Sequence, residues 1–553
     1  MCAKPFAQKG EKSLSATDGR GPAPSPGGGL YTRQSSGLVR DIAPGSNIAL
    51  NIAFVSIPLA ALVATEAPSA FPGASPFWVT LICAAVCIFP VLLYSLFMAV
   101  MPRSGGDYVF VSRTLHPWVG FAANFNITAW YVLVIAYFAY LLTPFGISSA
   151  ATTIGVATNN PALARWGAEA AANNGLAFGV GAGVLVLVAL MMSLSLRQML
   201  RIQNFLFAFS LLSVVISFVL LLFHGRADFV AAVGRFGGNY QKILADAKAA
   251  GYPGGGTFSL GETLLALPLA FASFGYAVVT AYAGGEVRSP KSSGRSAMIW
   301  ALVISGVVMS LLMLLAQRTF GTDFLGAATY LSNAGAKTYP FQAPSFFFFF
   351  VAMLTSSGPV IFLMSLSFIV AFIVALPVTF LIATRSLFAW SFDRIMPEKL
   401  SDVNEKTHSP LTANIVVLVA ALIFLAISIF SGGGFLQILY TSGLAEVLTF
   451  IVVAIAGIVL PWRRKAIYES SSIKSSFLGL PTVSLVGVLS LALYVFFFIS
   501  LATQSALGAN APLGIHATII IALTGVAVYP VSLIINRRRG VDLSLAFKEL
   551  PPE

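Results

Sequence analysis

Between residues 41 and 536 the chain is a succession of long apolar runs separated by short polar linkers. A run of about 20 apolar residues matches the hydrocarbon thickness of a bilayer, and lipid leaves such a backbone little choice but to close its hydrogen bonds internally as a helix. The runs predict twelve spanning helices, at 41–66, 76–101, 118–142, 175–195, 199–224, 261–285, 297–319, 357–390, 411–430, 435–460, 481–502 and 514–536. Composition agrees. Of 553 residues 57% are hydrophobic and 9% charged, with a mean hydropathy of +0.87, whereas soluble domains carry about 25% charged residues. A water-soluble enzyme, a nucleic-acid binder and a disordered chain are all excluded.

The net charge of +12 does not call for a nucleic-acid partner, because cytoplasmic loops of membrane proteins collect Lys and Arg. With the N-terminus inside, 25 of the 32 Lys and Arg fall on the inner side and 7 outside. That ratio places both termini in the cytoplasm of a multi-pass protein of the cell (plasma) membrane. Residues 1–37, rich in Gly, Pro and Ser, read as a disordered cytoplasmic tail without the apolar core of a signal peptide. A membrane core over 38–460 (helices 1–10), helices 11–12 over 461–536 and a cytoplasmic C-terminal tail over 537–553 complete the organisation. Cys83 and Cys87, four apart on an apolar helix, read as buried thiols. No cofactor and no metal are expected.

Two spans carry helix breakers at matching places. The first begins Asp41-Ile42-Ala43-Pro44-Gly45-Ser46-Asn47 and has Pro58 in its middle; the sixth reads Leu267-Pro268 and then Phe271-Ala272-Ser273-Phe274-Gly275-Tyr276. Proline removes a helix hydrogen bond and glycine lets the backbone leave helical geometry. Breaks at the first and sixth of twelve spans are corresponding positions in two five-helix halves. That is the pattern of a secondary transporter with a midplane site between inverted repeats.

Three further stretches carry a resemblance. Met101-Pro102-Arg103-Ser104-Gly105-Gly106-Asp107-Tyr108 is similar to a P-x-S-G-G-x-Y loop. Gly285-Glu286-Val287-Arg288-Ser289-Pro290 is similar to E-V-K-x-P. Ala389-Trp390-Ser391-Phe392-Asp393-Arg394-Ile395-Met396-Pro397 with His408-Ser409-Pro410 is similar to an A-x-x-x-D-x-x-x-P … T-P linker. In this order, over about 40–460, they resemble the amino acid–polyamine–organocation permease superfamily. The resemblance implies an all-α integral membrane protein with the leucine-transporter-type 5+5 inverted repeat, broken helices 1 and 6, and alternating access. It implies a substrate carboxylate held by backbone N–H groups at the first break and an amino group facing carbonyls of helices 1 and 6. The sequence departs from the family pattern in three places. Val55-Ser56-Ile57-Pro58-Leu59 stands where the family has G-x-G, F-x-G is displaced to Phe274-Gly275-Tyr276, and span 5 has no lysine at Phe209-Ser210-Leu211.

Carried over residue by residue, the substrate site comprises Val55, Ser56, Ile57, Pro58, Leu59, Tyr131, Ile135, Ser273, Phe274, Gly275, Tyr276 and Thr379. Two of these have a plainer alternative: Tyr131 as a packed aromatic, and Thr379 as a hydroxyl bonded back to its own helix. The set contains no Asp or Glu, which favours neutral zwitterions over polycations. Glu446 is the sharpest single residue. Eleven residues of helix from Phe435 put it about 16 Å deep, near the middle of a core roughly 30 Å thick, where a charge is expensive. It either titrates during transport, as the residue for proton coupling, or stays protonated in one interhelical hydrogen bond. The phenylalanine run Phe346–Phe350 reads as a lipid-facing anchor, and 228–250 as an outer surface helix.

The function expected is a secondary active transporter, symporter or antiporter, of amino acids or related small amines. Its partners are the small-molecule substrate, membrane lipid, and co-transported H+ or Na+. The alternatives are a non-transporting nutrient receptor or channel-like protein on the same fold, and a membrane-embedded enzyme. For the last, His116, His224, His408 and His516 are too scattered to serve. No phosphate-binding loop of the ATPase type is present.

Overall fold

The computed structural model describes residues 37–254, 257–431, 434–471, 473–477, 479–543 and 547. Both expected tails lie largely outside these residues. Among the described residues eleven helices are long and apolar enough to cross a membrane: Pro44–Ala61, Pro76–Val100, Pro117–Ala157, Asn174–Met192, Leu196–Phe223, Pro290–Phe320, Gly358–Phe392, Leu411–Phe430, Gln437–Arg463, Thr482–Thr503 and Pro512–Arg538. These are spans 1–5 and 7–12 of the expected twelve. The expected sixth is shorter, an apolar helix over Leu260–Phe274. Its second half is not helical in the ordinary sense: the chain unwinds from Gly275 and proceeds through turns and single 3₁₀ turns at Val279–Ala281 and Gly284–Glu286.

Local chemistry sets the helix starts. The Asn173 side chain accepts the Leu176 N–H at 2.9 Å and Ser259 Oγ accepts the Glu262 N–H at 3.2 Å, each closing a helix-end donor that has no intrahelical acceptor. Prolines open spans 1, 2, 3 and 12, where their missing N–H is no loss. Span 3 runs further than the sequence indicates, to Ala157. Pro144 and Gly146 sit in a π-wound turn, Leu142–Ser148, and the wider winding carries the helix past the proline.

Burial separates centre from rim. In spans 1 and 3, 72% of the most apolar stretch is buried, against 17% in span 12. The outward faces of spans 5, 9 and 12 expose large apolar side chains such as Phe205, Phe223, Ile415 and Ile520. In water such a belt would aggregate; in lipid it is the expected surface.

The phenylalanine run overturns its expectation. Phe346 to Phe350 are all buried rather than lipid-facing. Phe348 packs on Phe368 of span 8 at 4.6 Å between ring centres, and Phe350 on Phe324 at 5.6 Å and Phe229 at 6.0 Å. The cover comes from 228–250, which forms two short helices, Arg226–Arg235 and Tyr240–Ala249, rather than one. Each turns a buried apolar face inward, Phe229 and Val233 on the first, Ile243 and Ala247 on the second.

Candidate functional site

Span 1 is interrupted at one residue. Helix Pro44–Val55 ends at Ser56, which takes the left-handed conformation (φ 48°, ψ 74°), and a second helix runs over Ile57–Ala64. For a residue with a Cβ that backbone costs about 1–2 kcal/mol. Ser56 donates its N–H to Ile52 O at 2.8 Å, and the ladder resumes with the Ala60 N–H to Ser56 O at 2.8 Å. The N–H groups of Ile57 and Leu59 and the carbonyls just before the break therefore stand outside the ladder, Pro58 having no N–H to give. One serine thus opens the helix where the family pattern has two glycines.

The unwound part of the sixth segment lies against this break. Phe54 of span 1 packs on Tyr276 at 5.1 Å and on Tyr131 of span 3 at 6.0 Å between ring centres. Trp130 stacks on Tyr276 at 5.4 Å, and Tyr131 and Tyr276 stand 6.5 Å apart. Asn51 of span 1 donates to Thr280 Oγ1 at 3.1 Å, tying the two broken segments side to side. The Tyr276 side chain in turn faces the Glu446 carboxyl of span 10.

The expected site residues fall as follows. Val55, Ser56, Ile57, Pro58 and Leu59 are all buried at the break in span 1, and Ser273, Phe274, Gly275 and Tyr276 are buried where the sixth helix ends. Tyr131 is fully buried, with its hydroxyl beside Tyr282 but outside close hydrogen-bond geometry. Ile135 is fully buried among apolar side chains. Thr379 donates to Ala375 O at 2.8 Å in its own helix, which is its plainer reading. Glu446 is buried, with Oε1 lacking a partner; it brings a carboxyl to the edge of a site expected to have none. Phe54 was not anticipated, since nothing in an apolar run marks one phenylalanine over another. No group of three or more His, Cys, Asp or Glu stands together among the described residues. Cys83 and Cys87 are buried, with sulfurs 3.8 Å apart.

Around this centre the motif residues form closures on the face that bears Asp41. Arg385 of span 8 pairs with Glu286 at 2.5 Å, and Arg113 pairs with Asp393 at 2.6 Å, both pairs nearly free of solvent. Asp41 accepts from Arg288 and Arg197, each at 3.1 Å, and these cations hold its carboxyl below the usual range. The Ile42 N–H bonds to Glu286 O at 2.9 Å and the Arg288 N–H returns to Ile42 O at 3.2 Å. The head of span 1 is thereby strapped across the unwound segment.

The loop helix Asp107–Thr114 adds a residue that sequence reasoning passed over. Gly105 and Gly106 both have positive φ (110° and 49°), and a Cβ on Gly106 would meet the Tyr282 ring at 2.6 Å. Only glycine lets the loop approach so closely, and the approach brings the Tyr282 hydroxyl onto Asp107 Oδ2. Asp107 is fully buried, and burial pushes its carboxyl up to about 6, with the Tyr282, Tyr94 and Asn124 side chains opposing the rise.

A family model described as "Amino acid permease" matches residues 47–526. No curated protein matches the chain.

Proposed function

Since the chain belongs to the amino acid permease family, we propose that this membrane transporter is a secondary active carrier that moves amino acids by alternating access. The observation that supports it most is the break at Ser56 set against the unwound chain from Gly275. The N–H groups of Ile57 and Leu59 begin a half-helix, and that end attracts an anion such as an α-carboxylate. The carbonyls ending Pro44–Val55 attract the α-ammonium. Val55–Leu59, Tyr131, Ile135, Ser273–Tyr276 and Thr379 line the site, with Phe54 and Tyr276 as the aromatic closure over it. No Lys, Arg or His belongs to this set, so a zwitterion meets its own counter-charges in the backbone. Related small amines satisfy the ammonium half alone and bind more weakly.

The Leu260–Phe274 helix and the unwound chain after it make the sixth of twelve crossings, and the two five-helix halves form an inverted repeat. The excess of Lys and Arg on the Asp41 face supports a reading with that face, and both termini, on the cytoplasmic side of the cell membrane. The Asp41, Glu286 and Asp393 pairs then close the inner side. Glu446 is the residue for proton coupling.

The test is uptake of labelled L-amino acids by the purified chain in proteoliposomes. Accumulation above the bath concentration when an ion gradient is imposed supports the reading. Equilibration without accumulation, or binding without flux, would replace it with a channel or a receptor.

A further inference from the structure

Four carboxyls around the broken segments and the closures are buried: Glu286, Asp393, Asp107 and Glu446. Two are held by arginines, Glu286 by Arg385 and Asp393 by Arg113. Among the described residues Asp107 and Glu446 form no ion pair, and both face one cluster of tyrosines.

The cluster can be followed from ring to ring. Glu446 faces Tyr276 and lies near Tyr131. Tyr131 stands 6.5 Å from Tyr276 and 6.0 Å, perpendicular, from Tyr282 between ring centres. The Tyr282 hydroxyl donates to Asp107 Oδ2. Tyr94 of span 2 and Asn124 of span 3 flank Asp107 from the other side, and Tyr494 of span 11 stands within electrostatic reach of both carboxyls. Arg385 and Arg113, the buried cations on the packed elements, are engaged by Glu286 and Asp393. Glu446 Oε1, Tyr131 OH, Tyr94 OH, Asn124 Nδ2 and Asp107 Oδ1 reach no partner in close hydrogen-bond geometry, yet Tyr94 and Asn124 lie beside Asp107 and Tyr131 lies beside Tyr282. Buried polar groups normally pair, so these neighbours stand ready to bond one another with a small shift.

Resting on the permease reading above, we propose that Asp107 is the inner terminus of a proton relay that begins at Glu446 and passes through Tyr131 and Tyr282. In one passage the Glu446 O–H bond breaks, each hydroxyl or intervening water takes a proton on one side and releases one on the other, and an O–H bond forms on Asp107. The negative charge moves from Asp107 to Glu446, and nothing is oxidised or reduced. The elevated proton affinity of Asp107, at about 6, suits it to receive a proton near neutral pH and release it when the inner closures open. The loop glycines that press Asp107 onto Tyr282 give the P-R-S-G-G-D-Y stretch a reason beyond making a turn.

The test uses the full chain in proteoliposomes with a pH-reporting dye in the lumen and an equimolar mixture of labelled L-amino acids as the probe. The wild type accumulates the mixture when the bath is acidic, and the lumen acidifies with uptake. Asp107→Asn keeps amino acid exchange at equal pH, which needs no net proton movement, but its pH-driven uptake falls about 100-fold, the low end of what losing a proton-transfer group costs. Asp107→Glu recovers part of it. Should Asp107→Asn lose its cooperative thermal unfolding, Tyr282→Phe carries the test, since it removes one hydroxyl and predicts the same split between exchange and pH-driven uptake. A folded variant of either kind that accumulates like the wild type overturns the relay. So does a wild type that transports amino acids without regard to pH, which leaves the permease reading intact. A wild type that moves no amino acid under any gradient overturns both.

Discussion

Arg385 grips both carboxylate oxygens of Glu286, its Nε 2.5 Å from Oε1 and its Nη2 2.8 Å from Oε2, with both side chains almost wholly buried. The fork geometry joins span 8 to the unwound segment, and it gives the Glu of the E-V-R-S-P stretch a structural task. Removing one partner strands the other as an uncompensated buried charge. Arg385→Ala is therefore expected to cost about 3–5 kcal/mol of stability, measured by denaturant unfolding in detergent. Replacing both, Arg385→Met with Glu286→Leu, should recover most of the loss.

The left-handed turn in span 1 makes a second prediction. Ser56 holds φ 48° with a Cβ in place, so Ser56→Gly relieves strain of about 1 kcal/mol, offset in part by the greater chain entropy of glycine. Ser56→Val adds a β-branch to the same backbone and should destabilise by about 1–3 kcal/mol. The pair of thermal midpoints, glycine at or above wild type and valine below, checks it.

These breaks show what the sequence carries and what it does not. Proline and glycine are local chemistry, so Pro58 and Gly275 marked both interruptions. The residue that turns the backbone is Ser56, not Pro58, because Pro58 fits the first turn of the following half-helix. Phe346–Phe350 misled because hydrophobicity cannot distinguish lipid from core; only the two short helices packed over the run decide it. Asp107 was legible as part of a loop motif but not as a buried acid, since its burial depends on Tyr282, 175 residues away.

Glu66, beyond the end of span 1, gives a pH prediction. It is half-buried and accepts from Asn333 at 2.8 Å, yet the desolvation pushes its carboxyl from 4.5 up to about 7. Between those values the folded protein binds more protons here than the unfolded one, so this group's contribution to stability falls as pH rises from about 4.5 to 7 and is flat beyond. In Glu66→Gln that part of the decline in thermal midpoint should disappear; an unchanged slope would remove Glu66 from the account.

Asp41 tests the strap across the unwound segment. Its pairs with Arg197 and Arg288 are partly exposed, so Asp41→Asn should change stability by no more than about 1 kcal/mol. Its effect belongs to the balance between closed and open inner faces. A cysteine placed at Thr280, beneath the strap, should react faster with a water-soluble thiol reagent in Asp41→Asn than in the parent, and raising the salt should narrow the difference.

If two interrupted segments hold an amino acid between their loose ends, a density map of the purified protein with a bound amino acid will show it there. The carboxylate is expected at the N–H groups of Ile57 and Leu59, the ammonium at the carbonyls before Ser56, and Phe54 and Tyr276 over the side chain. A ligand bound elsewhere, or span 1 running unbroken through Ser56 in the occupied protein, would contradict it.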